Sequence, residues 1–284
     1  MTIPRLPGMK LPVGRDATRT GEASEGNVAL LSQDKIDSVR ISRLTDIRPA
    51  AEALHAIAME AGLRAAPAHD IADKRTPVDA EGNVLALDVF GWNDTDRVWW
   101  RNSRIALDSP LTTACRFESQ PFWGNAEGFR SRQPNAYLDS IELSNFENRA
   151  MTKAAIVVPV HLPFGQIGAV SFNPIDRNRT DLEEDFLRIG DAFGVYARTF
   201  IATYVHLMGS TQALPPESRL SKREVECLRW AAIGKTDLEI SMIMSRSRAT
   251  VRFHIHNASM KLNAVNRSQT VFKAAQLGYI SLNN

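Results

Sequence analysis

One short amphipathic segment near the carboxyl end constrains this chain more than any other stretch. Ser247 is a favourable N-cap, because its side-chain oxygen can accept a hydrogen bond from the free amides of a first helical turn. Apolar residues follow at steps of four, three and four positions: Val251, Ile255, Ala258 and Leu262. This spacing predicts a helix over residues 247–262 with a single buried stripe.

The other face of this predicted helix is basic. It carries Arg248, Arg252 and His256, and the segment from Ser245 to Lys261 contains four Arg or Lys residues and no acidic residue. A short helix with a core stripe and a basic face fits the major groove of DNA. An ordinary amphipathic helix with a solvated basic face has the same pattern, so the neighbouring segments must decide between the two.

Three further helices are predicted around this one. Capping boxes over residues 221–224 and 236–239 open two of them, and Gly234 follows the first as a stop signal. Another helix is predicted over 267–277 and ends at Gly278. Because only a few residues separate the second helix from the basic one, the pair has the helix-turn-helix arrangement of DNA-binding proteins.

About the last 65 residues resemble the DNA-binding domain of LuxR-type regulators. Four motifs occur in the family's order: Leu-Ser-x-Arg-Glu, Gly-Lys-Thr, Thr-Val-x-Phe-His and Lys-Leu-x-Ala-x-Asn-Arg. The resemblance implies a homodimer that places two recognition helices in successive major grooves of a dyad-symmetric duplex site. It also implies that Arg252 and His256 read base edges. Phosphate contacts are expected from Arg248, Thr250, Asn257 and Lys261.

Charge and composition agree with a nucleic-acid partner for this end of the chain. The net charge is only +2, but residues 217–284 hold eleven Lys or Arg against five Asp or Glu. This asymmetry places the polyanion partner at the carboxyl end. The absence of a long apolar run argues against a membrane span, and the absence of an apolar signal core makes the cytoplasm the expected location. Cys115 and Cys227 are expected to be buried, without a disulfide or metal role.

The remainder predicts an α+β fold: an α-β-α sandwich sensor domain ahead of the all-α four-helix DNA-binding domain. We expect a disordered extension over 1–33, the sensor over 34–208, a linker over 209–219 and the DNA-binding domain over 220–284. Helices are predicted over 36–62 with a break at Pro49, over 94–107 and 129–145, and from a capping box at Thr180 to about 207. Strands are predicted over 85–90, 112–117, 156–162 and 167–172, the last two as a hairpin in which Pro159 marks an edge or a bulge.

The larger domain also resembles the autoinducer-binding domain of LuxR-type quorum sensors. Asp108, followed fifteen residues later by Trp123, matches the spacing of two ligand-pocket residues of that family. The resemblance implies that the Asp accepts the amide N–H of an N-acyl homoserine lactone. Four other signature positions differ, because the family's Tyr, Trp, Pro and Gly fall on Trp99, Thr95, Ser109 and Ala155. These differences predict an altered small hydrophobic ligand, or none.

Other classes of function were weighed against this one. A phosphorylation-controlled response regulator would need alternating β-α units near the amino end, and none is visible. An enzyme is not expected, because the sequence shows no nucleophile elbow, phosphate-binding loop or paired-His metal motif, and no cofactor is implied. A ligand-independent regulator, whose larger domain dimerises or binds another protein, stays open as the alternative.

Overall fold

The computed structural model describes residues 31–72, 76–92, 107–209 and 219–281. In chain order these form α1 (Gln33–Ser38), α2 (Ile47–Glu60), β1 (Leu63–Ala68), α3 (Leu85–Asp88), α4 (Pro110–Ala114), β2 (Phe122–Asn125), β3 (Gly128–Ser131), α5 (Ala136–Asp139), α6 (Phe146–Ala150), β4 (Ala154–His161), β5 (Ile167–Pro174), α7 (Glu183–Met208), α8 (Lys222–Ala232), α9 (Asp237–Ile243), α10 (Arg248–Lys261) and α11 (Arg267–Gln276). The predicted amino-terminal extension and the linker lie almost wholly outside these ranges, so the domain bounds stay predictions.

A five-stranded antiparallel sheet forms the middle layer of the larger domain. Its strand order is β1-β5-β4-β2-β3, and the predicted hairpin is its centre, with Ile156 opposite Phe172. The pairing of β2 with β4 ends at Val157, so β4 has an open edge on that side beyond this point. Pro159 lies in that stretch, where the proline interrupts no β2–β4 pairing, in agreement with the predicted edge.

Each face of the sheet is covered by helices, which confirms the predicted α-β-α sandwich. On one face, α2 and the long α7 bury Ile156, Val158 and Phe172 in the main apolar core. On the other face, α4, α5 and α6 cover a smaller core that contains Ala155 and Val157. Successive residues of a strand point to opposite faces of the sheet, so the side chains of β4 enter the two cores in turn.

Three predicted elements of the larger domain are wrong. Residues 85–90 form the short helix α3 and its following turn, because a short apolar run does not distinguish a buried helix from a strand. Residues 112–117 belong to α4 and its end, since Pro110 occupies the first turn and preorganises a helix. The predicted helix over 129–145 contains β3 and the short α5, because Gly128 closes a tight turn from β2 with a φ of +144°.

Two predicted boundaries also differ from the structure. Pro49 does not break a helix; it lies in the first turn of α2, where its missing N–H is not needed. The capping box at Thr180 does not form, and α7 begins at Glu183. The Thr180 carbonyl accepts a hydrogen bond from the Asn125 side chain at 2.9 Å, and Asp181 Oδ1 accepts one from the Glu183 amide at 2.8 Å. These contacts hold the segment in a non-helical path.

The carboxyl-terminal domain consists of α8 to α11, as predicted. Its apolar contacts form two clusters, one around Leu228, Ala258 and Leu262 and the other around Cys227, Ile240 and Val251. The described helices include none that is both long and apolar enough to cross a bilayer.

Candidate nucleic-acid interface and ligand cavity

The first two helices of the carboxyl-terminal domain begin at the predicted capping boxes. The Glu224 amide donates to Ser221 Oγ at 3.3 Å, and the Ser221 amide donates to Glu224 Oε2 at 2.7 Å. Thr236 and Glu239 form the equivalent pair at the start of α9. Each box satisfies two amides that have no partner inside the helix, which fixes where the helix starts.

A tight turn joins α9 to α10. Met244 ends α9, Ser245 adopts a left-handed φ of +51°, and Ser247 caps α10 by accepting the Thr250 amide at 3.0 Å. Only four residues, Met244 to Ser247, therefore separate the two helices. The turn packs α9 against α10 and so fixes the position of α10, as in the helix-turn-helix arrangement.

The predicted stripe of α10 packs inward. Val251 and Ala258 are fully buried, and Ile255 and Leu262 are at most 8% exposed. They contact α8, α9 and α11 through the two apolar clusters of the domain. This burial fixes the rotation of α10, so the opposite side must face solvent.

Arg248, Arg252 and His256 lie exposed on that opposite side. Within the part of the chain that the structure describes, no hydrogen bond or ion pair engages these three side chains. Some other cations of the domain have acidic partners: Arg223 contacts Glu226 at 2.7 Å, and Arg267 contacts Asp237. Lys222 and Arg229 on α8 are exposed without one among the described residues, but α10 and the turn before it hold three such arginines close together, Arg246, Arg248 and Arg252. We call Arg248, Arg252 and His256 the basic face.

The remaining predicted DNA contacts lie beside the basic face or behind it. Thr250 and Asn257 are half-buried, and Thr250 Oγ1 lies 2.9 Å from Ser247 Oγ in the N-cap. Lys261 turns inward instead, and its Nζ donates to both Glu224 oxygens at 2.8 and 2.9 Å. Lys261 therefore links the end of α10 to the start of α8. The sequence of α10 alone predicted a phosphate contact for Lys261 and could not predict this partner on α8.

The Lys261–Glu224 ion pair lowers the pKa of Glu224. Burial alone would raise the pKa of Glu224, but hydrogen bonds from Lys261 and Ser221 outweigh it and lower that pKa below its ordinary value. The Glu224 side chain is only 4% exposed. The pair therefore holds a buried charge between two helices.

Two exposed residues next to the basic face were not predicted as contacts. Arg246 lies exposed in the turn before α10, and Phe253 is 60% exposed beside Arg252. Helical spacing would have placed Phe253 outside the buried stripe. His254 packs its ring edge-on to that of Phe253, with 5.8 Å between the ring centres.

The larger domain contains a cavity of about 220 Å³ on the face of the sheet that α4 and α6 cover. Its floor is formed by β1 and β5, and Leu111, Cys115 and Val157 contribute apolar walls. Burial raises the pKa of the Cys115 thiol to about 12, so the group stays neutral and adds to the apolar lining. The described residues contain no group of His, Cys, Asp and Glu that could hold a metal ion.

None of the three predicted ligand residues that the structure describes is part of the cavity lining. Asp108 is exposed, and its carbonyl accepts a hydrogen bond from Arg149 Nε at 2.9 Å. Trp123 pairs with Ile156 and packs in the main core on the opposite face of the sheet. Ala155 lies on the cavity side but is buried in the smaller core. Thr95 and Trp99 fall outside the described residues.

Sequence reasoning missed the residues that do form the cavity floor. These alternate along two paired strands: Arg64, Ala66 and Ala68 on β1, and Ala169, Ser171 and Asn173 on β5. Small residues at every second position are a signal of a strand face that leaves space. Residues 63–68 were not predicted to form a strand, so the pairing of these two faces could not be inferred.

Comparisons with known proteins support the assignment of the carboxyl-terminal domain. Residues 218–274 match the family model described as bacterial regulatory proteins, luxR family. The transcriptional activator protein VanR of Vibrio anguillarum is 35% identical over 133 residues, 45% of this chain and 52% of that one. The quorum sensing-dependent transcriptional regulator RpaR of Rhodopseudomonas palustris is 32% identical over 173 residues, 57% of this chain and 62% of that one.

These matches cover only part of each relative, since the chain spans about half the length of VanR and less than two thirds of RpaR. A crystal structure of Escherichia coli SdiA aligns with 91% of this chain and 98% of that one, at 20% identity and a TM-score of 0.47. The family model coincides with the four helices that carry the capping boxes and the basic face. Residues 218–274 therefore belong to the LuxR family of bacterial regulatory proteins.

Proposed function

We propose that the protein is a DNA-binding transcriptional regulator of the LuxR type. One observation carries the proposal: the exposed side of α10 concentrates unpaired cations, while the same helix is held by its buried side in a helix-turn-helix. Such a face suits the polyanionic groove of a duplex better than any acidic or apolar partner. The names of the relatives, a transcriptional activator and a transcriptional regulator, support the same function.

Distinct roles follow for the side chains of α10. Arg252 can donate two hydrogen bonds to one guanine edge, and His256, one turn further along, reads a neighbouring base. Arg248, Thr250 and Asn257 are assigned to phosphates, which position the helix without reading sequence. Lys261 is assigned a bracing role, because Glu224 already neutralises its charge.

We further propose that the regulator acts as a homodimer in the cytoplasm. Two copies related by a two-fold axis would present two α10 helices to successive major grooves, about one helical turn of DNA apart. The recognised site would then be dyad-symmetric.

Control by a small ligand is assigned to the larger domain. The mostly apolar cavity suits a small hydrophobic signal such as an N-acyl homoserine lactone or a related molecule. The quorum sensing-dependence in the name of RpaR supports this assignment. Neither Asp108 nor Trp123 is part of the cavity lining, which favours the second candidate, a ligand-independent regulator whose larger domain serves dimerisation or protein binding.

Selection from random duplexes tests the DNA-binding function. The full chain is incubated with a pool of duplexes at moderate salt, and the bound sequences are determined over several rounds. We expect enrichment of one sequence with two inverted half-sites. Recovery of a pool that stays random would contradict sequence-specific regulation.

Mass spectrometry of the denatured, purified chain separates the two forms of control. A small molecule that co-purifies with the wild-type chain, at one molecule per chain, supports ligand control. A soluble dimer that carries nothing, and that binds its DNA site equally well with or without added acyl lactones, supports the ligand-independent candidate.

A further inference from the structure

The cavity has a polar end, at Arg64 and Asn173, and this end indicates the head group of the ligand. We propose that the cavity binds a small amphipathic carboxylate, with the acid group at Arg64 and the apolar part toward Leu111 and Cys115. This inference rests on the proposed ligand control of the larger domain and names the chemical class of the ligand.

The floor of the cavity changes from polar to apolar along two paired strands. Arg64 lies opposite Asn173, Ala66 opposite Ser171, and Ala68 opposite Ala169. These three pairs, every second one along the two strands, thus run from a cation and an amide, through a hydroxyl, to two methyl groups. A molecule lying along this floor would meet donors at one end and only apolar surface at the other.

Arg64 is a cation with neutral partners. Its Nη1 donates to the Gly91 carbonyl at 3.1 Å, and its guanidinium lies 5.4 Å from the centre of the Trp92 ring. Among the described residues no carboxylate pairs with it. Because a guanidinium has five N–H donors in a planar fork, one bond to Gly91 leaves donors for a second, planar acceptor.

The charge of Arg64 also acts on a neighbouring group. The pKa of His55 is lowered, mainly by burial and further by the positive charge of Arg64. Arg64 itself is half-buried, so an anion beside it would be screened by solvent less than one beside a fully exposed arginine.

The rim of the cavity adds to the positive charge. Besides Arg64 it includes Arg149, Lys153, Arg177 and Arg179, against the two acids Glu147 and Asp176. Acidic partners outside the lining neutralise two of the cations, since Glu142 pairs with Arg149 and Asp185 with Arg179. The nearest partner of Lys153 is the neutral amide oxygen of Asn178 at 3.3 Å. Three cations then remain against the two acids of the lining, an excess of one positive charge that favours an anionic guest.

A neutral lactone fits this floor less well than an acid. The lactone offers acceptors of ordinary strength, whereas a carboxylate forms charge-assisted, bidentate hydrogen bonds with a guanidinium. The amide N–H of an acyl lactone would also need an acceptor, and Asp108 is exposed rather than part of the cavity lining. The modest cavity, about 220 Å³, suits a short chain.

Calorimetric titration of the full chain tests the head group with four matched ligands. These are N-hexanoyl homoserine lactone, its ring-opened carboxylate, hexanoate and hexan-1-ol, in mildly acidic buffer where both acids are ionised and the lactone hydrolyses slowly. We expect at least one carboxylate to bind about tenfold tighter or more than its neutral counterpart, because hydrogen bonds to charged groups are the stronger ones. The two acids distinguish a ring-opened acyl homoserine from a simple fatty acid as the source.

Variants locate the acid group. Arg64→Gln should lose the preference for the carboxylate, and Arg64→Lys should retain part of it, because the charge stays. Arg43→Gln is the matched control, since Arg43 is 80% exposed and pairs only with Asp46. Melting curves of each variant confirm that the fold persists.

Equal or tighter binding of the neutral members would overturn the inference, as would binding of none of the four. A preference for carboxylates that survives in Arg64→Gln would overturn it as well. Binding of the selected duplex is measured on the same samples. A chain that binds its duplex but prefers the lactone leaves the proposed function standing and removes only the carboxylate assignment.

Discussion

At the scale of single residues, the arginines of the carboxyl-terminal domain divide by whether they have an acidic partner. Arg223 and Arg267 form ion pairs, whereas Arg248 and Arg252 lie exposed without one among the described residues. An exposed pair contributes little to stability, so this division matters more for binding than for folding. Arg248 and Arg252 are the arginines with which we propose that DNA is bound.

Replacing Arg252 should separate specific from general DNA binding. We expect Arg252→Ala to weaken binding to the selected site by about 1–3 kcal/mol, because a bidentate contact to a base edge is lost. Weak, salt-sensitive binding to any duplex should remain. The matched control is Arg223→Ala, which removes the same charge from an exposed ion pair. Fluorescence anisotropy with the selected duplex and a scrambled one measures both affinities; an equal loss on the two would contradict base reading.

The residues of the basic face were predictable because helical spacing alone places them opposite the apolar stripe. The partner of Lys261 was not, since Glu224 lies 37 positions upstream and comes close only through tertiary packing. The positions of the Asp108 and Trp123 side chains were not predictable either. Their spacing along the chain does not determine on which face of the sheet each side chain lies.

At the scale of elements, helix ends explain which parts of the fold were predictable. The helices of the carboxyl-terminal domain begin at side-chain caps that the sequence displays: Ser221, Thr236, Ser247 and Asn266. In the larger domain, β1 and β2 are short and pair with β5 and β4, which are distant in sequence, and β3 is a short edge strand that pairs with β2. Local patterns therefore predicted the hairpin β4–β5 but not the strands on either side of it.

Removing the N-cap of α10 should destabilise the recognition helix. Ser247→Ala deletes the acceptor of the Thr250 amide, and we expect a loss of about 0.5–2 kcal/mol in the free energy of unfolding. Urea denaturation followed by circular dichroism measures it. Ser268→Ala, at an exposed position of α11, is the control. Equal stability of the two variants would show that Ser247 is not needed as a cap.

The Lys261–Glu224 pair should make the stability of the domain depend on pH. A carboxyl group whose folded pKa is lowered stabilises the fold above its unfolded pKa of about 4.3, and the contribution is lost as pH falls through the folded pKa. Lys261→Met removes a partner of a buried charge, so we expect a loss of about 1–3 kcal/mol at neutral pH.

The difference between wild type and Lys261→Met should shrink as the pH falls below that unfolded value. Chemical denaturation at several pH values checks this, with Lys222→Met, exposed on α8, as the control. A difference that is constant with pH would show that the charge of Glu224 plays no part.

At the scale of the whole molecule, a direct contact joins the two domains. Gln276 Nε2 of α11 donates to the carbonyl of Phe164 at 2.6 Å, at the tip of the β4–β5 hairpin. Phe164 adopts a left-handed φ of +64°, which is unusual for a residue with a side chain. The hairpin that forms the centre of the sensor sheet thus also contacts the DNA-binding domain.

Loss of this contact should loosen the arrangement of the two domains. Gln276→Ala removes one neutral hydrogen bond, worth about 0.5–1.5 kcal/mol, so we expect a larger radius of gyration in small-angle X-ray scattering. The control is Gln133→Ala, an exposed position whose backbone carbonyl, not its side chain, accepts the Ser131 hydroxyl. A radius unchanged from wild type would mean that other contacts hold the domains together.

The salt dependence of duplex binding tests the central claim most directly, because the account assigns DNA binding to free cations on one helix. The affinity of the full chain for its selected duplex is measured over a range of salt concentrations, for wild type and Arg248→Ala. We expect the logarithm of the association constant to fall linearly with the logarithm of salt concentration, with a slope shallower by about one for the variant. Identical slopes, or no duplex binding at low salt, would contradict the account.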